Sequence, residues 1–108
     1  MKQRTSTSVL VNDLRLGQDE AARQVVVEFE ETLNKLARQS LQNANCRFVE
    51  EQDIVQSVLF RFFRRVQQDE FPDLGNRTEI LRLLQKMTRN KTVDLIRKSQ
   101  SQRNGGGR

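Results

Sequence analysis

Apolar positions recur along most of the chain at steps of three and four residues, the spacing that lines one face of a helix. Ala22, Val25, Val26, Phe29, Leu33, Leu36, Ala37 and Leu41 keep that rhythm, while Glu30, Glu31, Asn34, Lys35 and Arg38 fill the other side. The pattern predicts a core helix from about Asp19 to Asn43, opened by Asp19 and Glu20, whose charge suits the positive end of a helix dipole. Val55, Val58, Leu59, Phe62 and Val66 predict another helix over about Glu50 to Gln68. Ile80, Leu81, Leu84, Met87 and Leu95 predict a third long helix, from Asn76 to about Lys98, with Asn76 and Glu79 spaced as a capping box. Lys91 projects toward its apolar side, which points to a snorkelling stem or a bend. A shorter helix is expected from about Val9 to Leu16, capped by Thr7 or Ser8 and stopped by Gly17.

Helix breakers are scarce. Proline occurs only at Pro72, and glycine only at Gly17, Gly75 and the terminal Gly105-Gly106-Gly107. The fold expected is therefore all-α, a compact bundle of about four helices. Asp69–Arg77 reads as a loop, from its Pro, Gly and Asn content. Residues 1–98 form one expected domain, and residues 99–108 a flexible tail or interdomain linker.

Composition narrows the chemistry. The 108 residues include no histidine and one cysteine, Cys46, which excludes a Cys/His zinc site, a His-based triad and an internal disulfide. No glycine-rich phosphate loop is present. The paired carboxylates Glu30-Glu31 and Glu50-Glu51 fall on helix surfaces or starts. Cys46 has Arg47 beside it and no base, so no enzyme, metal or cofactor is expected. A lone thiol suits a reducing cytosol, and no apolar run reaches the roughly 18–20 residues of a membrane span. The expected location is cytoplasmic.

The formal charge of +5 is unevenly placed. Residues 1–76 hold 10 basic and 12 acidic side chains, whereas residues 77–108 hold 9 and 2. Such asymmetry suits either a polyanion partner or a solvated basic helix. Arg82, Lys86, Arg89 and Arg97 share one face of the last helix, with Asn90 at its edge. That face can track a phosphate backbone, and an Asn amide can bond a base edge. On the preceding helix, Asp53, Gln56, Ser57, Phe60 and Arg64 gather opposite the core stripe, with Phe63 at the margin. An aromatic framed by charges and amides has the composition of a protein-binding hot spot, although a lone exposed apolar residue is also ordinary.

Two blocks carry a resemblance. Asp53-Ile54-Val55-Gln56-Ser57-Val58-Leu59-Phe60-Arg61-Phe62-Phe63-Arg64-Arg65 is similar to the acidic-aliphatic-aliphatic-Gln helix of bacterial sigma factors. Leu83-Leu84-Gln85-Lys86-Met87-Thr88-Arg89-Asn90-Lys91-Thr92-Val93-Asp94-Leu95-Ile96-Arg97-Lys98 is similar to the block that follows it there. In order and at this gap, they resemble region two of the extracytoplasmic-function (ECF) sigma factors, in a variant with a Phe-Pro-Asp loop. The opening Leu14-Arg15-Leu16-Gly17-Gln18-Asp19-Glu20-Ala21-Ala22 also resembles the start of that family, so the resemblance spans about Val9 to Lys98.

The resemblance implies that Asp53, Gln56, Ser57, Phe60 and Arg64 contact the clamp helices of the largest subunit of core RNA polymerase. It also implies that the Asp69–Arg77 loop captures a flipped base of the non-template strand of the promoter minus-ten element. Phe71, Arg77, Arg82, Lys86, Arg89, Asn90 and Arg97 would then support that strand, and an anti-sigma factor is a possible further partner. Asp94 is expected in a structural ion pair with Arg97 or Lys98. Three departures stand out: Ser57 replaces a frequent acidic residue, Leu83 replaces a usual Trp, and base stacking must rely on Phe71 or an arginine plane. The second, helix-turn-helix domain that reads the minus-thirty-five element in complete members has no counterpart here. The chain is expected to be one module of a two-domain factor, or a protein reduced to that module. Two other readings stay open, a stand-alone helical DNA-binding regulator and an interaction adaptor that never meets DNA. The long Asp69–Arg77 loop ranks the regulator behind the sigma reading.

Overall fold

A computed structural model of the chain describes the backbone of residues 7–105 and the side chains of residues 9–100. It contains four helices and, among the described residues, no strand: α1 (Thr7–Arg15), α2 (Asp19–Asn43), α3 (Glu51–Gln67) and α4 (Arg77–Gly105). The all-α expectation holds. α2, α3 and α4 pack pairwise, and α1 lies across α2 and α3.

The first three helices stop in the same way. Gly17 adopts a positive φ of 76°, Asn45 of 53° and Asp69 of 57°. After α1, the N–H of Gln18 donates to the carbonyl of Asp13 at 2.9 Å and that of Gly17 to Leu14 at 3.0 Å. The pairs Cys46→Leu41 and Asn45→Gln42 close α2, and Glu70→Arg65 and Asp69→Val66 close α3. Each is a Schellman motif, which satisfies the orphan carbonyls of a helix end through one left-handed residue. Glycine suits that conformation because it has no Cβ, and Asn and Asp tolerate it because their short polar side chains bond locally. The fourth helix opens on Asn76, whose Oδ1 accepts the N–H of Glu79 at 2.9 Å. The Glu79 carboxylate reaches back to the N–H of Gly75 at 3.1 Å, one residue earlier than a capping box places it.

The core joins Leu10, Val11 and Leu14 of α1 to Val25, Phe29, Leu33 and Leu41 of α2, Ile54 to Val66 of α3, and Ile80 and Leu84 of α4. Phe62 is wholly buried at its centre, edge-on to Phe63 at 5.7 Å and stacked with Phe71 at 6.2 Å. Two polar residues, Thr88 and Thr92, continue the buried row of Ile80 and Leu84 at four-residue steps and are fully buried. Their hydroxyls are satisfied inside the helix, Thr88 Oγ1 donating to the carbonyl of Leu84 and Thr92 Oγ1 to that of Thr88, both at 2.7 Å. A hydroxyl that bonds the carbonyl one turn back carries no desolvation penalty. Leu81, Met87 and Leu95, expected on the buried side, pack at the edge of the core instead. The fourth helix also runs seven residues beyond its expected end at Lys98. Residues 99–104 contain neither Gly nor Pro, and extending an existing helix adds one hydrogen bond per residue fixed.

Candidate functional site

The residues singled out on α3 are brought together. Asp53, Gln56, Ser57, Phe60 and Arg64 are all exposed along its outer face, spaced three or four apart. Phe60 is 64% exposed, and the Arg64 guanidinium sits 5.9 Å from its ring centre. The ring stands between two grooves. One, about 280 Å³, is shared with Leu14, Gly17, Ala22 and Phe63 at the α1–α2 turn. The other opens toward α4 through Ser57, Arg61, Arg65 and Lys91. At the opposite end of the face, Gln56 lines a small polar groove with Glu30, Asn34 and Gln52. There the Asn34 Oδ1 is shielded from solvent without a hydrogen-bond partner.

The start of this helix is held by Arg38 of α2, whose Nε donates to Glu51 Oε1 at 3.0 Å. The Glu51 carboxyl is held below its ordinary value of 4.5 by its own backbone N–H first, then by the hydrogen bond from Arg38, with desolvation opposing. A depressed folded-state value means that this contribution to stability is present above the ordinary value and lost as pH falls through the lowered one. The melting temperature of Glu51→Gln is therefore expected to lie below that of the wild type at pH 7. That gap should close as the pH is taken below 4.5, which parallel thermal melts read out.

On α4, Arg82, Lys86, Arg89, Asn90 and Arg97 are all exposed and fall within about 100° of helix arc. Val93, 44% exposed, lies in the middle of the stripe. Asp94 sits beside it and pairs with Lys98 at 3.4 Å, the structural role expected of it. Asn90 also borders a groove of about 260 Å³ between α3 and α4, whose walls carry Arg61, Arg65 and Lys91. Arg61 and Lys91 form no ion pair among the described residues. The half-buried Lys91 stem lies near Met87, in agreement with the snorkelling expected from its register. Sequence reasoning gave no role to Arg61 or Arg65, because the facing helix that joins them to Lys91 is invisible in the pattern of either helix alone.

Two candidate strand contacts are differently placed. Arg77 turns back to α2, where its Nε donates to both carboxylate oxygens of Glu28 at 3.1 and 3.0 Å. Both side chains are only about one-fifth exposed. Arg77→Gln is expected to cost about 1–2 kcal/mol, because it leaves a mostly buried carboxylate short of its charged donor. Thermal denaturation measures that loss, and the salt slope of nucleic-acid binding should stay as in the wild type. Phe71 is half-buried, with one ring face against Phe62 and the Arg65 guanidinium 4.7 Å from the ring centre. The Arg65 guanidinium, partly exposed, thus lies over the Phe71 ring beside the loop and is fixed by a 3.0 Å bond to Glu70.

The loop joining α3 to α4 is short of free ends. The N–H of Leu74 donates to the carbonyl of Phe71 at 3.2 Å, closing a β-turn with Pro72 and Asp73 at its tip. Its near side is tied to α1: Arg15 Nη2 donates to the carbonyls of Phe71 and Pro72 at 3.1 and 3.0 Å, and Arg15 Nε lies 3.5 Å from Asp69.

Among the described residues, no group of His, Cys, Asp and Glu is placed to hold a metal, and no helix is long and apolar enough to cross a membrane. Neither the curated proteins nor the solved structures searched gave a match. A family model does match, that of the ECF sigma factor, over residues 4–108. Members are non-enzymatic transcription initiation factors, which implies RNA polymerase binding and promoter recognition in general. With its four-helix core, its exposed aromatic face on α3 and its basic stripe on α4, the chain belongs to the ECF sigma factor family.

Proposed function

We propose that this chain docks on the clamp helices of core RNA polymerase through the α3 face and captures the unpaired non-template strand of the promoter minus-ten element with α4 and the loop before it. It works in the cytoplasm and performs no catalysis. Binding energy gained on the unpaired strand offsets the cost of separating it from its complement. The observation that carries the reading is the placement of the two exposed faces. Phe60 with its polar frame lies on α3, the cationic stripe lies on α4, and the groove with Arg61 and Lys91 joins them. The two faces belong to different helices and meet along that groove, so polymerase and strand can be held side by side.

The division of labour follows from chemistry. Arg82, Lys86, Arg89 and Arg97 meet phosphates, Asn90 meets a base edge, and the arginine plane beside Phe71 supplies a stacking surface. Two titrations run side by side test the reading, one with a clamp-helix fragment and one with a single-stranded minus-ten oligonucleotide. Binding of both is expected. Binding of the fragment alone would identify an adaptor, and a preference for duplex over single strand would identify a conventional regulator.

A further inference from the structure

Arg15 belongs to the helix farthest in sequence from the stripe on α4, yet it is the residue most engaged with the α3–α4 loop. Two hydrogen bonds from one nitrogen to successive carbonyls, with Asp69 facing its Nε, place a single guanidinium across the loop where it leaves α3. The side chain is about one-third exposed, and the partners its donors reach, Asp69 and the carbonyls of Phe71 and Pro72, belong to the loop itself. Backbone carbonyls of a surface loop are normally left to water, and a planar five-donor fork can fix several of them at once. On the other flank, Arg65 stacks on Phe71 and bonds Glu70. The Schellman turn at Asp69 and the Asn76 cap fix the two ends. The turn between them is closed by its own bond from Leu74 to Phe71, and Arg15, on the carbonyls of Phe71 and Pro72, is what ties that turn to α1.

We propose that Arg15 is a positioning residue for strand capture: it holds the Phe71–Leu74 turn, and the Arg65 plane beside it, in the shape that receives the unpaired strand. The inference rests on the strand-capture reading and deepens it by placing part of that site's rigidity in α1. A loop ordered before binding surrenders less conformational entropy when the ligand arrives, so its loosening appears as weaker binding with unchanged contacts. Arg15 touches no phosphate in this role, and the salt dependence of binding should not register its loss.

Arg15→Met keeps the apolar stem and removes the donors; Arg15→Lys restores charge without the fork. Amide exchange of residues 69–74, melting temperature, affinity for the clamp-helix fragment, and affinity for a single-stranded minus-ten oligonucleotide at several salt concentrations are measured for each. Arg15→Met is expected to speed loop exchange and weaken strand binding about tenfold, with an unaltered salt slope and unaltered clamp binding. Arg15→Lys should recover little of that loss. Wild-type affinity alongside faster loop exchange would overturn the proposal, as would loop exchange that stays slow. A salt slope shallower by about 0.7 would also overturn it, showing that Arg15 meets a phosphate directly. A wild-type chain that fails to bind the strand would refute the strand-capture reading, and the purpose given to Arg15 with it. Loop exchange would still report whether Arg15 holds the turn.

Discussion

Reversing charge at Arg82 and Lys86 together, as Arg82→Glu with Lys86→Glu, is expected to weaken binding of a single-stranded minus-ten oligonucleotide by on the order of tenfold or more per contact removed. The two side chains are one helical turn apart on the exposed stripe of α4, so both can meet one strand. The expected signature is in the salt dependence as well as in the affinity. Each phosphate neutralised on a single strand contributes about 0.7 to the slope of log affinity against log salt, and losing two should flatten it by about 1.4. Both positions are exposed, and changes at such sites leave stability within about 0.5 kcal/mol. Clamp binding should survive, because α3 presents a separate face. Unchanged affinity and slope would show that the stripe on α4 is not the strand-binding face.

Phe60→Ala carries the other large effect. Truncation of a central aromatic at a protein interface costs about 2 kcal/mol or more, close to thirtyfold in affinity. Phe60 has the setting for it, exposed in the free protein, framed by Gln56, Ser57 and Arg64, and flanked by grooves on both sides. Its loss also leaves Arg64 without the ring it now covers. Gln56→Ala, at the polar end of the face, should cost less. Calorimetric titration with a clamp-helix fragment measures both variants, and thermal melts should show the fold intact, since neither side chain is in the core. Undiminished binding of both variants would remove the clamp from this face.

Helices α2 and α3 were legible in the sequence almost to the residue, because their apolar stripes are strong and they open on acidic residues. α1 was legible in its stop at Gly17 but not in its start, since Thr7 and Ser8, read as caps before Val9, already lie in the helix. α4 was legible in place and in its opening at Asn76, less so in depth. Thr88 and Thr92 complete its buried row, but a hydroxyl reads as polar until its bond to the preceding turn is seen. The stops at Asn45 and Asp69 were hidden for a related reason, since either residue also suits an ordinary loop. Of the site, the exposed members of both faces followed from register alone. What register cannot supply is contact across distant sequence. Arg15 and Phe71 are 56 positions apart, and Arg77 and Glu28 are 49 apart. Those pairings turn Arg77 and Phe71 partly inward and bring Arg15 to the loop, and only the packing of α1 and α2 against α3 and α4 reveals them.

Placing 2-aminopurine at successive positions of a minus-ten non-template strand and adding the chain tests strand capture most directly. This base brightens when it is drawn out of its stack. A rise in fluorescence confined to one or two positions, saturating with the strand affinity and lost in the Arg82→Glu/Lys86→Glu variant, is the result expected. Uniform, position-independent fluorescence despite binding would contradict the account, because the strand would then be held by its phosphates alone with no base taken from the stack.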